Sequence, residues 1–312
     1  MYRACLVAAI LMPGSQTLDE PRTLVLEGSG GFLVPVEING AALTLRVDPA
    51  ASGLVVLNPE AAKRARIEPD RLRPVTGFPG VRYRRAFARI GPVHLEGLAG
   101  TATASIGGAP VKLRTVWFDR DAVEDADGVI SVHQLPYDSV RFALATPGED
   151  ETETVLDLAY EPSPGLYYRY ALEGETVAVQ VSVHKPLSVA TAAAGAVIAR
   201  HHAGSWAGAD ARSPVSFGIS RPVRPMALGE PVRLEELAIE RFLVRTRDHR
   251  GGFELPSDGP PDPEEIVVTA AVRGQPPRLT LVLGQEQLAG CSSLTYRRAD
   301  KRLVARCAGG GR

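Results

Sequence analysis

The apolar positions of this chain fall in short runs, several of them alternating with polar residues, which predicts strands rather than helices. Residues 32–38 and 41–47 flank Asn39-Gly40, a pair that favours a tight hairpin turn between alternating runs. Another apolar run covers 54–57. Asn58-Pro59-Glu60 then opens a short helix through Ala65, with Asn at the cap and Pro in the first turn. Further strands are predicted at 86–90, 101–106, 111–118, 128–132 and 140–144, with Gly107-Gly108 as a turn. Residues 146–154 are acidic and turn-rich and read as a linker. The second half resumes with strands at 177–183 and 187–191, followed by the small-residue run 192–199. Strands at 215–219, 237–245, 266–272 and 279–283 come next, then a terminal hairpin. Residues 256–265, rich in Pro and acidic side chains, read as a disordered loop.

The halves share a pattern. Residues 45–56 align with 187–198 in apolar, small and Gly positions, and 128–135 align with 281–288. Two β-rich lobes of similar plan follow. The length of 312 residues is enough for two such lobes with real cores. Gly and Pro, 31 and 25 of them, add many turns to this reading. A net charge of −1 supplies no basic footprint for a nucleic acid.

Met1-Tyr2-Arg3, the apolar run 4–12 and Pro13-Gly14-Ser15 have the layout of a compact secretory signal over residues 1–16, with a polar leader at 17–31. No run is long enough for an apolar membrane-spanning helix. Cys5 would leave with the signal, so Cys291 and Cys307 remain as an even pair. Residues 293–296 and 302–305 read as hairpin strands around the polar break at 298–300. A tip at Ala299 puts both cysteines eight residues away and opposite one another, within bridging reach. A disulfide is predicted, which agrees with export to an oxidising compartment, the periplasm or the outside.

Several residues taken together resemble the retropepsin-like and pepsin-like aspartic peptidases, in the two-lobed single-chain bacterial form. They are Val34-Pro35-Val36, Asn39-Gly40, Asp48-Pro49-Ala50-Ala51-Ser52, Asp127-Gly128-Val129-Ile130-Ser131 with Leu135, and Val282-Leu283-Gly284 with Leu288. The resemblance implies an all-β fold of two pseudo-symmetric, closed-barrel-like lobes with a cleft between them. It places the first lobe at 32–145, a linker and connecting strand at 146–175, the second lobe at 176–307 and a tail at 308–312. It also implies Asp48 as a catalytic acid in an active-site loop of Pro49, Ala50, Ala51 and Ser52. Tyr83 is the candidate flap residue. The implied partner is a peptide or protein segment in the cleft of a monomer, with neither cofactor nor metal.

The departures bear on function. Such chemistry needs two carboxyls sharing a proton, one arm activating water and the other protonating the leaving amine. The second position falls on Ala190, or on Thr191 if the register slips by one, and neither is an acid. Pro49 lacks the hydroxyl that normally follows the aspartate, and Ser131 stands where a glycine is usual. Three functions stay open: an inert or very weak aspartic-peptidase-like protein that binds peptide, an active endopeptidase with an unaligned or dimer-supplied acid, and an envelope scaffold. His133, Asp138 and Ser139 lack a nucleophile turn. His201-His202 lacks ligand spacing. Gly28-Ser29-Gly30-Gly31 opens no helix and so is no dinucleotide site. Residues 264–270 resemble a segment near the N-terminus of outer-membrane receptors and read here as an internal strand.

Overall fold

The computed structural model describes residues 22–71, 84–248, 250–257 and 276–308. The first-half strands are β1 (Thr23–Glu27), β2 (Leu33–Ile38), β3 (Ala41–Val47), β4 (Val55–Leu57), β5 (Arg85–Ile90), β6 (Val93–Ile106), β7 (Ala109–Phe118), β8 (Gly128–Ile130) and β9 (Ser139–Ala143). Helix α1 (Pro59–Arg64) follows β4. The second half holds β10 (Glu151–Glu161), β11 (Gly165–Leu172), β12 (Glu175–Val181), β13 (Val189–Ala190), β14 (Ser205–Trp206), β15 (Ala211–Ser216), β16 (Ile219–Leu234), β17 (Leu237–Arg245), β18 (Thr280–Leu283), β19 (Cys291–Arg297) and β20 (Arg302–Ala308). Helix α2 (Ala192–His201) follows β13. The fold is all-β. The predicted signal, the strand at 266–272, the tail beyond Ala308 and most of the loop at 256–265 lie outside the described residues.

Strands β2, β3, β8, β4, β7 and β6 form a closed six-stranded barrel, because β6 also pairs with β2 at Glu37↔Ser105 and Ile38↔Ala104. Alternation drives closure. Val34, Val36 and Ile38 of β2 and Leu43, Leu45 and Val47 of β3 are buried, while the residues between them face outward. Each such side chain contributes about 1.5–3 kcal/mol on burial. Asn39 and Gly40 have φ of 49° and 82°, so the two-residue turn is the one the pair predicts. Strand β5 extends from the barrel as a hairpin with β6.

Asn58 is the N-cap residue of α1, as expected, but its side chain makes no capping hydrogen bond. Its Nδ2 donates to the carbonyls of Val123 (2.8 Å) and Ala126 (2.9 Å), and its Oδ1 accepts from the Ala122 N–H. The side chain therefore fastens the loop before β8.

The second sheet runs β1-β9-β19-β20-β10-β11-β12-β18-β13-β17-β16-β14, with β15 on β16. Strand β1 corrects the reading of 17–31 as a leader, because residues 23–27 pair in parallel with β9 and Leu26 is buried. The acidic stretch 146–154 is a linker only to Asp150, since β10 starts at Glu151. Its carboxylates face arginines across the pair with β20, Glu153 with Arg306 at 2.7 Å and Asp157 with Arg302 at 2.6 Å. Opposite charges across strands thus turn a linker-like composition into a strand.

Two connections are wired alike. Strand β3 runs parallel to β8 (Val47↔Ile130), and β4 runs antiparallel to β8 (Val56↔Val129) and leads into α1. Strand β12 runs parallel to β18 (Val181↔Leu283), and β13 runs antiparallel to β18 (Val189↔Val282) and leads into α2. A 3-10 turn follows β8 at Val132–Gln134 and follows β18 at Gln285–Leu288.

Candidate functional site

Asp48 is the first residue after β3, and its N–H donates to the Ile130 carbonyl at 3.1 Å. Ser182 is the first residue after β12, and its N–H donates to the Leu283 carbonyl at 2.9 Å. Each therefore leaves a strand at the same step beyond a parallel pairing. Their side chains meet, with Ser182 Oγ donating to Asp48 Oδ2 at 2.7 Å. Ala190 and Thr191 are not the partners. Ala190 is buried in β13, and Thr191 caps α2, accepting from the Ala194 N–H and donating to the Arg278 carbonyl.

The hydroxyl is fully committed. Ser182 Oγ accepts from the N–H groups of His184 and Lys185, each at 3.2 Å, so its proton is left for Asp48. The other Asp48 oxygen accepts from the Ala50 N–H at 3.1 Å. Both oxygens act as acceptors, the role of a carboxylate. Pro49 is buried and offers neither hydroxyl nor N–H. The Ala51 N–H bonds back to the Asp48 carbonyl, which tightens the loop. Ser52 Oγ bonds within the loop, to the carbonyl and N–H of Leu54.

The second half holds this loop. Gln180 Nε2 donates to the carbonyls of Ala50 (3.2 Å) and Pro164 (3.1 Å), and the Gly53 N–H donates to the Pro162 carbonyl. His184 Nε2 donates to the Val47 carbonyl at 3.0 Å, a role fixed because a carbonyl only accepts. Burial lowers the His184 pKa, against the opposing pull of Asp48. Lys185 Nζ donates to the Val215 carbonyl at 3.3 Å. Its pKa is also lowered by burial, with Asp48 opposing and Arg245 adding to the shift. The site is thus one carboxylate and one hydroxyl, with the partly buried His184 and Lys185 beside them, each donating to a backbone carbonyl. Among the described residues, no group of three or more His, Cys, Asp or Glu could hold a metal ion.

The other candidates resolve separately. Tyr83 lies outside the described residues. Asp127 is structural, accepting from the Thr44 N–H at 2.8 Å and from Arg64 at 2.5 Å. Asp138 Oδ2 accepts from the Arg22 N–H, and Ser139 Oγ bonds Thr23 Oγ1, so neither joins His133 in a triad. His202 Nε2 bonds the Tyr170 hydroxyl at 2.9 Å.

His133 bonds Ser131 Oγ through Nδ1 at 2.8 Å and packs on Tyr160 with centroids 4.5 Å apart. Burial, then the charge of Arg298, lowers its pKa to about 4. A histidine held neutral in the fold binds fewer protons than it does unfolded between about pH 6.5 and 4. Its contribution is therefore complete above pH 6.5 and disappears as the pH falls to 4. Solvent reaches part of the ring, so the expected loss is about 1–2 kcal/mol. Urea unfolding at pH 7 and pH 4 checks this. The drop between the two pH values should shrink by that amount in His133→Phe, and an equal drop in both proteins would refute it.

Ser182, His184 and Lys185 escaped the sequence reading, yet a signal existed. Gly40 of the first hairpin turn stands eight residues before Asp48, and Gly174 of the β11–β12 turn stands eight residues before Ser182. No protein-family model matches this sequence, and no curated protein matches it.

Proposed function

We propose that this chain is an exported protein of aspartic-peptidase type that keeps a groove for an extended peptide and has lost hydrolysis. The like wiring of β3-β8-β4-α1 and β12-β18-β13-α2 supports two related lobes. Asp48 and Ser182, at the matching strand ends, then take the places of the two acids. That contact carries the conclusion. A serine hydroxyl neither shares a proton with a carboxylate in the acid–base sense nor protonates a leaving amine near neutral pH. Ser182 already fills the face of Asp48 that a dimer-supplied acid would need. Export is supported by the Cys291–Cys307 disulfide, which persists in oxidising compartments. Among the described residues no helix is long and apolar enough to cross a membrane.

The test is cleavage of a diverse peptide mixture at pH 3–7 by the disulfide-intact protein and by Asp48→Asn. The expected result is no cleavage that depends on Asp48. Cleavage abolished by Asp48→Asn would establish a working peptidase and overturn this reading.

A further inference from the structure

Helix α2 has two unlike sides. On one, Gly195 packs directly on Val244 of β17. On the other, the helix lines a cavity of about 520 Å³ that is partly open to solvent. Ala196 and Ala199 of the helix, with Gly204 and Gly252, form part of the wall and carry a methyl group at most, so space remains. The rest of the apolar wall is Phe253, Leu255 and Pro256.

These walls are fixed. Gly204 sits so close to Ala199 that an added Cβ would come within 2.7 Å of it, and the Gly204 N–H donates to the Ala199 carbonyl at 2.8 Å. Pro256 is anchored by Trp206, whose Nε1 donates to the Pro256 carbonyl at 2.6 Å. An apolar hollow of this size with a few polar groups, beside an otherwise packed core, has the form of a small-molecule site.

The charged residues of the cavity are Arg200 and Glu254. Arg200 is already paired, because its Nη2 donates to both Glu175 carboxylate oxygens, at 3.1 and 3.0 Å. The Glu254 carboxylate has no ion-pair or hydrogen-bond partner among the described residues. Helix α2 also ends here, at His201, and the C-terminal end of a helix favours positive charge. An aromatic wall residue, Phe253, suits a cation as well.

We propose that this cavity binds a small organic cation, an ammonium group on an apolar body. The ammonium meets Glu254, and the body lies against Ala196, Ala199 and Phe253. The site uses no residue of the Asp48–Ser182 contact, so it stands or falls apart from the peptidase reading.

Phenethylamine is the probe, titrated into the disulfide-intact protein at neutral pH and followed by NMR. The comparisons are 2-phenylethanol, with the same body and no charge, and 3-phenylpropionate, with the opposite charge. The amine should bind about tenfold more tightly than 3-phenylpropionate. Glu254→Gln should weaken the amine about fivefold and leave the alcohol unchanged, because it removes only the charge of an exposed side chain. Ala199→Leu should weaken amine and alcohol alike by filling the space. Glu254 is exposed, so its variant tests the charge even if Ala199→Leu fails to fold. The cavity is not a cation site if no probe binds, if 3-phenylpropionate binds as tightly as the amine, or if Glu254→Gln leaves the amine affinity unchanged. Wild-type amine affinity in folded Ala199→Leu would place the binding elsewhere and overturn the proposal too.

Discussion

Gly165→Ala is expected to cost about 3–5 kcal/mol of folding stability, the sum of a strained backbone and a steric overlap. Gly165 opens β11 with φ of 106°, a conformation that side chains rarely adopt. A Cβ there would overlap the Ala51 carbonyl oxygen and come within 3.3 Å of Ser52 Cα. These are backbone atoms of the loop that holds Asp48, so no rotamer change relieves the contact. The loop must move, and with it the Ala50 carbonyl that Gln180 holds, which is also tied to Pro164 through the same amide. The Asp48–Ser182 contact should loosen as well. Gly174→Ala is the control. Its φ is 76°, but nothing lies within 4 Å of the added methyl, so only backbone strain of about 1 kcal/mol applies. Urea unfolding of both variants decides the matter. Equal losses would mean that the approach of the two halves at Gly165 contributes nothing.

Much of the six-stranded barrel was legible because its strands alternate cleanly and its turns carry diagnostic pairs. Asn39-Gly40, the strand at 41–47 and the helix after Asn58 fall where patterning puts them. The match of 128–135 with 281–288 also falls on like elements, a strand and then a 3-10 turn. The match of 45–56 with 187–198 does not. Residues 192–199 mimic the small residues after Asp48 because a helix buried on all sides needs small side chains; Gly195 packs directly on Val244. Composition thus imitated a loop motif and drew the reading away from Ser182, the residue that meets Asp48. Strand β1 was hidden for another reason. Five residues between a Pro-Arg pair and a Gly-rich turn carry too little periodicity, and only pairing with β9 makes them a strand. Arg221, which lies against Gly91, and Phe217, which packs edge-on against Phe118, illustrate the remaining limit, since contacts between the hairpins of two halves leave no local trace in either.

Removing the disulfide by Cys291→Ala with Cys307→Ala is expected to cost about 3 kcal/mol, the loop-closure value for a cross-link of this span. The bond joins residues 16 apart at the open end of the β19–β20 hairpin. The prediction of this bond holds, with one difference in its basis. The hairpin strands pair as Arg297↔Arg302 and Ser293↔Arg306, so the turn is centred between Ala299 and Asp300 rather than on Ala299. A register shift between Cys291 and Ser293 then brings Cys291 opposite Cys307. The bond therefore also pins an irregular register, which a one-residue slip would otherwise contest. Its position magnifies the effect, because β20 also pairs with β10, the strand that leads from one half of the chain to the other. The urea midpoint should fall by about 1 M. Amide exchange should accelerate at the paired ends Glu151–Thr154 and Ala305–Ala308. A reductant should lower the wild-type midpoint toward that of the double variant and leave the variant unchanged. If reduced and oxidised wild type unfold at the same midpoint, the sheet alone fixes the register and the bond constrains nothing further.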